Sequence, residues 1–173
     1  MRVLVAYASK FGSTAEIADA IADEIRGCGL DVDVVEAGRV RDVTPYGAVV
    51  LGSALYAGRW RRPAVGMLRR HRRELAGRPL RLFHSGPLDA EGERQPPPKA
   101  VARMLPALGA DEPVTFGGRL EKDTARGFIA RKMVDNGHGG DFRDWDAIRA
   151  WARDTAGSLA ATGGREGPTP RQG

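Results

Sequence analysis

Arg2-Val3-Leu4-Val5-Ala6-Tyr7-Ala8, followed at once by Ser9-Lys10-Phe11-Gly12-Ser13-Thr14, decides the fold class. The first seven residues are mostly apolar and rich in β-branched and small side chains, as a short strand buried on both faces requires. The next six carry three hydroxyls and a glycine ahead of a helical pattern in which Ala18, Ile21, Ala22 and Ile25 share one face. A strand feeding a helix this directly opens a βαβ unit, and the rest of the chain repeats the alternation. Asp31 to Glu36 alternates like a strand near a sheet edge, and Gly47 to Ser53 is apolar on both faces, as a central parallel strand must be. A helix from Arg62 to Leu75 follows, with Pro63 suited to its first turn, and Pro79 to Ser85 is the fourth strand. The pattern then predicts a short helix from Pro97 to Leu105, stopped by Pro106, and a fifth strand from Val114 to Gly117. The last helix, Asp144 to Ala161, takes Asp144 as its N-cap and sets Trp145, Ile148, Trp151, Ala152, Thr155 and Leu159 on one stripe.

Five strands alternating with helices give an α/β protein with a parallel sheet wound by right-handed crossovers. The chain of 173 residues is read as one domain over residues 1–161, with an insertion over 121–143 and a disordered tail from Thr162 to Gly173. No apolar run approaches the ~20 residues of a membrane-spanning helix, and the N-terminal apolar segment is too short for a signal peptide. Cys28 is the only cysteine, which excludes an internal disulfide and a cysteine metal cage and suits a reducing cytoplasm.

The net charge of +5 is local. Nine arginines lie between Arg59 and Arg81 against one acid, Glu74, so the remaining chain is mildly acidic. In the 62–75 helix, Arg62, Arg69, Arg70, Arg72 and Arg73 oppose an arc of Ala64, Met67, Leu68, His71 and Leu75. Such a face attracts an acidic protein or an anionic membrane surface, the alternative being a merely solvated helix face. It lacks the interleaved aromatics of a nucleic-acid module, so no nucleic-acid partner is expected.

In wound parallel sheets ligands bind beyond the carboxyl ends of the strands, here in three loops. The first, Ser9 to Thr14, offers hydroxyls at 9, 13 and 14, a glycine and the free amides of a starting helix, an anion cradle suited to a phosphate monoester. The alternative is a capping box with Ser13 as N-cap and Glu16 three residues on, which needs no ligand. The dinucleotide fingerprint and the P-loop pattern are both absent. The second loop, Ser53-Ala54-Leu55-Tyr56-Ala57-Gly58-Arg59-Trp60, sets two aromatics on flexible backbone where they can sandwich a flat heterocycle, or else fold back onto the core. The third, beginning Ser85-Gly86-Pro87-Leu88, can meet the other ring edge. His71 reads as a packed core histidine, and no second ligand stands beside His84 or His138, so no metal site is expected.

Together these loops resemble the flavodoxin family. Within it, Gly52-Ser53-Ala54-Leu55-Tyr56-Ala57-Gly58, Gly117-Gly118-Arg119-Leu120 and the insertion before Asp144-Trp145 resemble the menaquinone-dependent protoporphyrinogen oxidase type. The resemblance implies a three-layer α/β/α sandwich on a five-stranded parallel sheet of order 2-1-3-4-5, with FMN as cofactor. It implies phosphate binding by Ser9, Lys10, Phe11, Gly12, Ser13 and Thr14, and isoalloxazine contacts from Ser53 to Gly58, Trp60 and Ser85 to Leu88. Phe11 stands where the family usually has a threonine. Implied partners are a redox protein or a quinone, and the implied location is cytoplasmic, peripheral to the inner membrane face. Arg59, Arg61 and Arg62, beside the ring loop, are expected to stabilise the reduced, anionic flavin. The rivals are an electron carrier without a substrate site and a regulatory module without cofactor.

Overall fold

The computed structural model describes residues 1–86, 94–120 and 140–163. Strand β1 (Arg2–Ala8) leads into helix α1 (Ser13–Gly27) and then β2 (Asp31–Glu36). β3 (Ala48–Tyr56) is followed by a short β4 (Arg59–Trp60), and β5 (Leu80–Gly86) and β6 (Val114–Gly117) come after. The parallel strands run β2-β1-β3-β5-β6, which is the expected order 2-1-3-4-5, while β4 turns back antiparallel on β3.

Strand periodicity sorts the core into two slabs. Val3, Val5, Val50 and Phe83 face α1 and helix α6 (Trp145–Gly163), whereas Leu4, Ala6, Leu51 and Leu82 face the opposite layer. That layer holds α2 (Arg62–Arg70), α3 (Arg72–Leu75), α4 (Lys99–Ala102) and α5 (Leu105–Leu108). Both sheet faces are thereby covered, which is why these strands tolerate no polar alternation. On the α6 side, Phe83, Phe116 and Trp151 pack as an aromatic trio with ring centroids 5.7 to 6.0 Å apart. Phe83 lies so close to Gly52 that any Cβ there would overlap its ring.

Several boundaries differ from the sequence pattern. The 62–75 helix is broken at His71, whose ψ of 23° leaves the helical range and gives two segments. The arginine face is nevertheless exposed, with Ala64, Met67, Leu68 and Leu75 buried beneath it. Pro106 sits in the first turn of α5 and does not end a helix, because the amide it lacks has no helical partner there. α6 is capped as expected, Asp144 Oδ1 accepting from the Ala147 amide at 3.0 Å, but it continues through Thr162 and Gly163, residues assigned to the tail. A two-stranded pair without a sequence signal, β7 (Arg119–Leu120) with β8 (Gly140–Asp141), forms at the base of the expected insertion. Pro87 and Leu88, the insertion residues 121–139 including His138, and the tail from 164 lie outside the described residues.

Candidate functional site

The first loop meets α1 through Gly12, at φ +90°, a conformation that a side chain would strain. Its amide donates to Ser9 Oγ at 2.9 Å. The first helical hydrogen bond is Glu16 N to Gly12 O at 3.1 Å, so the amides of Ser13, Thr14 and Ala15 precede it and are available to an anion. The capping-box alternative fails: Ser13 is already helical and no side-chain cap is made. Ser13 Oγ instead accepts the Arg119 amide at 3.0 Å, and Glu16 turns outward to Arg119 and Arg143. Thr14 Oγ1 and Ser85 Oγ share a hydrogen bond at 2.8 Å, joining the α1 start to the end of β5. Ser9 and Ser13 act here as acceptors, so each hydroxyl retains its proton for a ligand oxygen.

The expected flexible aromatic loop is a hairpin. β3 extends three residues beyond Ser53, and Ala57 (φ 49°) with Gly58 (φ 68°) makes a two-residue turn before β4 returns, pairing Leu55 with Trp60 and Tyr56 with Arg59. Trp60 is a corrected assignment: it folds back onto the core, 5% exposed, and its indole N–H donates to His84 Nδ1 at 3.2 Å. Accepting at Nδ1 leaves the His84 proton on Nε2, 2.8 Å from Thr115 Oγ1, which also accepts the Gln95 amide at 3.0 Å. Burial pushes the His84 imidazole down to about 4, so it is neutral near pH 7. Ser53 is likewise buried, and its Oγ accepts the Arg61 amide at 2.9 Å. Ser53, Gly58 and Trp60 therefore build the wall and do not line the cleft.

Between hairpin and first loop lies a cleft of about 180 Å³ at the carboxyl edge of the sheet. Ser9, Lys10, Phe11, Ser13 and Thr14 line one side, and Ala54, Leu55, Tyr56 and Ala57 the other. Ser85 and Gly86 are also on its surface, whereas Gly12, though it shapes the loop, is not. Lys10 Nζ stands 3.1 Å over the Tyr56 ring, and Phe11 meets that ring edge-on at 6.3 Å. Lys10 is thus the cation against the aromatic wall; Arg59, Arg61 and Arg62 do not line the cleft, with Arg59 and Arg62 exposed beyond it.

Two lining residues were not assigned to the site from sequence, Gly118 and Arg119. Gly118 N donates to Gly86 O at 2.7 Å, and a Cβ on Gly117 would overlap Phe142 O, so only glycines let the chain turn here and deliver Arg119 to the cleft. The paired glycines Gly117 and Gly118, at the end of β6, were the available signal. Around Arg119, Glu16 accepts from Arg119 NH2 at 2.7 Å and from Arg143 NH1, while Asp141 takes Arg143 Nε and NH2 at 2.8 and 2.6 Å. The Arg143 hydrogen bonds hold the Asp141 carboxyl below its usual value, and the Asp141 and Glu16 carboxylates raise the Arg143 guanidinium above its own.

One end of the cleft therefore offers amides and hydroxyls to an oxyanion, and the other an apolar and aromatic surface to a planar ring. The model of a family described as flavodoxin domain matches residues 4–136. The chain belongs to the flavodoxin family. FMN is the cofactor of that family, and the two unlike ends of the cleft fit its phosphate and its isoalloxazine. Among curated proteins, the chain is 23% identical to the protoporphyrinogen IX dehydrogenase [quinone] of Escherichia coli K12, covering 90% of this chain and 95% of the relative. Among solved structures it is similar to a flavodoxin from the domain Archaea, with TM-score 0.61, 17% identity and coverage of 92% of this chain and 99% of the other. It is also similar to the flavodiiron protein of Giardia intestinalis, with TM-score 0.66, 18% identity and coverage of 96% of this chain but 38% of that longer one. No helix among the described residues is long and apolar enough to cross a membrane.

Proposed function

We propose that this flavodoxin-family protein is an FMN-dependent oxidoreductase that oxidises a porphyrinogen and passes the electrons to a quinone. The observation that carries the reading is the cleft itself: free α1 amides at one end, the Tyr56 hairpin at the other, and both ends on one sheet edge. Its similarity to the E. coli dehydrogenase along nearly the whole length of both chains supports the substrate pair. When bound, FMN supplies the two-electron store that links a reduced ring to an acceptor. The chain's own residues position it. The amides of Ser13 to Ala15, with the Ser9 and Ser13 hydroxyls, hold the phosphate, and Ala54, Leu55 and Tyr56 present the apolar wall to the ring. Lys10 places a positive charge where a reduced, anionic ring is stabilised.

A second reading, an electron carrier without its own substrate site, is favoured by the size of the cleft. Its roughly 180 Å³ falls below the about 300–1,000 Å³ of pockets that enclose a whole ligand, which suits exchange at an exposed ring edge. The exposed arginines of α2 and α3 extend either reading to a docking face for an anionic membrane surface or an acidic redox protein, with the protein in the cytoplasm. Titration with FMN tests the shared premise: saturable uptake with flavin absorption bands is expected, and no uptake overturns it. Anaerobic turnover of protoporphyrinogen with menaquinone then separates the two, since a carrier accepts electrons from a reductase but gives no porphyrin.

A further inference from the structure

Resting on the FMN reading above, we propose that Arg119 is the residue by which this cleft selects a phosphorylated flavin over the bare one, so that recognition of the cofactor's oxyanion is ionic and does not depend on loop hydroxyls alone. Three features of its setting point there.

First, its position is built. The Arg119 amide donates to Ser13 Oγ, and the preceding glycines are packed against Gly86 and Phe142, so the residue is fixed over the first turn of α1, whose amides are free to meet an anion. Second, its hydrogen bonding is incomplete. NH2 reaches Glu16, but Nε is buried and has no partner among the described residues, although the side chain lines the cleft beside Ser13 and Thr14. A buried charged donor without an acceptor is unfavourable, and because the side chain borders the cleft, a small turn of the guanidinium toward an oxyanion bound there would supply the missing acceptor. Third, its neighbours leave its charge in play. Asp141 is engaged by Arg143, and Glu16 is shared between Arg119 and Arg143, so among the described residues no carboxylate is committed to Arg119 alone. A phosphate monoester carries about −1.5 to −2 charge at pH 7 and draws on Arg119 directly. Without Arg119, that phosphate would face Glu16 across the first turn of the helix.

The two members of the pair therefore have opposite expected effects on binding, whereas a purely structural crosslink between β7 and α1 would give both variants the same sign. The test is the dissociation constant of FMN and of riboflavin, read from flavin fluorescence, for the full chain stripped of flavin. Wild type is expected to prefer FMN strongly. Arg119→Gln should weaken FMN about tenfold or more while changing riboflavin by less than about twofold, as loss of a charge-assisted contact to the phosphate alone requires. Arg119→Lys should retain most of the preference, and Glu16→Gln should leave FMN affinity equal or higher. Because removing Arg119 leaves Glu16 with Arg143 as its one arginine partner among the described residues, the double variant Glu16→Gln/Arg119→Gln is measured as well; it keeps the fold and still loses the preference. Equal weakening of both flavins by Arg119→Gln overturns the assignment. So does a Glu16→Gln variant that loses FMN as Arg119→Gln does, or a wild type that binds FMN and riboflavin alike. A wild type that binds neither flavin overturns instead the FMN reading on which the proposal rests.

Discussion

The two walls of the cleft are held by opposite kinds of chemistry. The hairpin wall rests on a neutral, buried chain of hydrogen bonds: Trp60 to His84, His84 to Thr115, and the Arg61 amide to Ser53. The α1 wall rests on charge, with Glu16, Arg119, Arg143 and Asp141 interlocked around an arginine whose side chain is only 4% exposed. The neutral wall is set by burial and is therefore insensitive to salt but sensitive to a proton. The ionic wall tolerates the neutral pH range but is weakened by screening where Glu16 and Asp141 reach solvent. The aromatic end of the site is thus rigid and apolar, while the oxyanion end is polar and electrostatically adjustable, a division that suits a ligand with one flat apolar end and one charged end.

The sharpest way to break this contrast is to remove the anchor of the neutral wall. Trp60→Ala should cost about 3–5 kcal/mol in chemical denaturation, since it vacates a buried aromatic and strands His84 Nδ1. Next comes acid. His84 is neutral when folded, with its titration lowered to about 4 from the ordinary 6.5, so the stability it contributes is complete above pH 6.5 and lost as pH falls to about 4. The loss should reach on the order of 3 kcal/mol and be unchanged by added salt; His84→Gln, which does not titrate, should flatten that part of the stability–pH curve. The ionic wall gives the converse result. Arg143→Gln should cost about 2 kcal/mol at low ionic strength and visibly less at high salt, measured by the same denaturation curves. The smallest effect belongs to the turn. Gly58→Ala forces a second side chain into positive φ and should cost about 1 kcal/mol, whereas Ala57→Asn should gain a fraction of that, both read as shifts in Tm.

The strands and their two covered faces were legible because strand burial leaves a periodic record, Val3 and Val5 answering one helical layer and Leu4 and Ala6 the other, whereas the strand order came from the family resemblance. The loop that opens α1 was legible for a related reason, since hydroxyls, a glycine and a helix start are neighbours in the chain. The hairpin was not. Ala57-Gly58 lacks the Asn or Asp that usually marks a two-residue turn, and the residues that stabilise it, Ser53, His84 and Thr115, come from three different strands. His71 and Pro106 show the same limit at smaller scale, since an amphipathic pattern continues through a break, and a proline can begin a helix as readily as end one.

The sequence alone determined the layers and the loop that opens α1, because each depends on side chains spaced two to four residues apart, and the strand order followed from the family resemblance. Tertiary structure alone decided which cations meet the cleft. Lys10 over Tyr56 and Arg119 beside Ser13 bring together residues 46 and 106 positions apart. Charge acts through space, and an interaction over a few ångströms has no period along the chain by which it could be read.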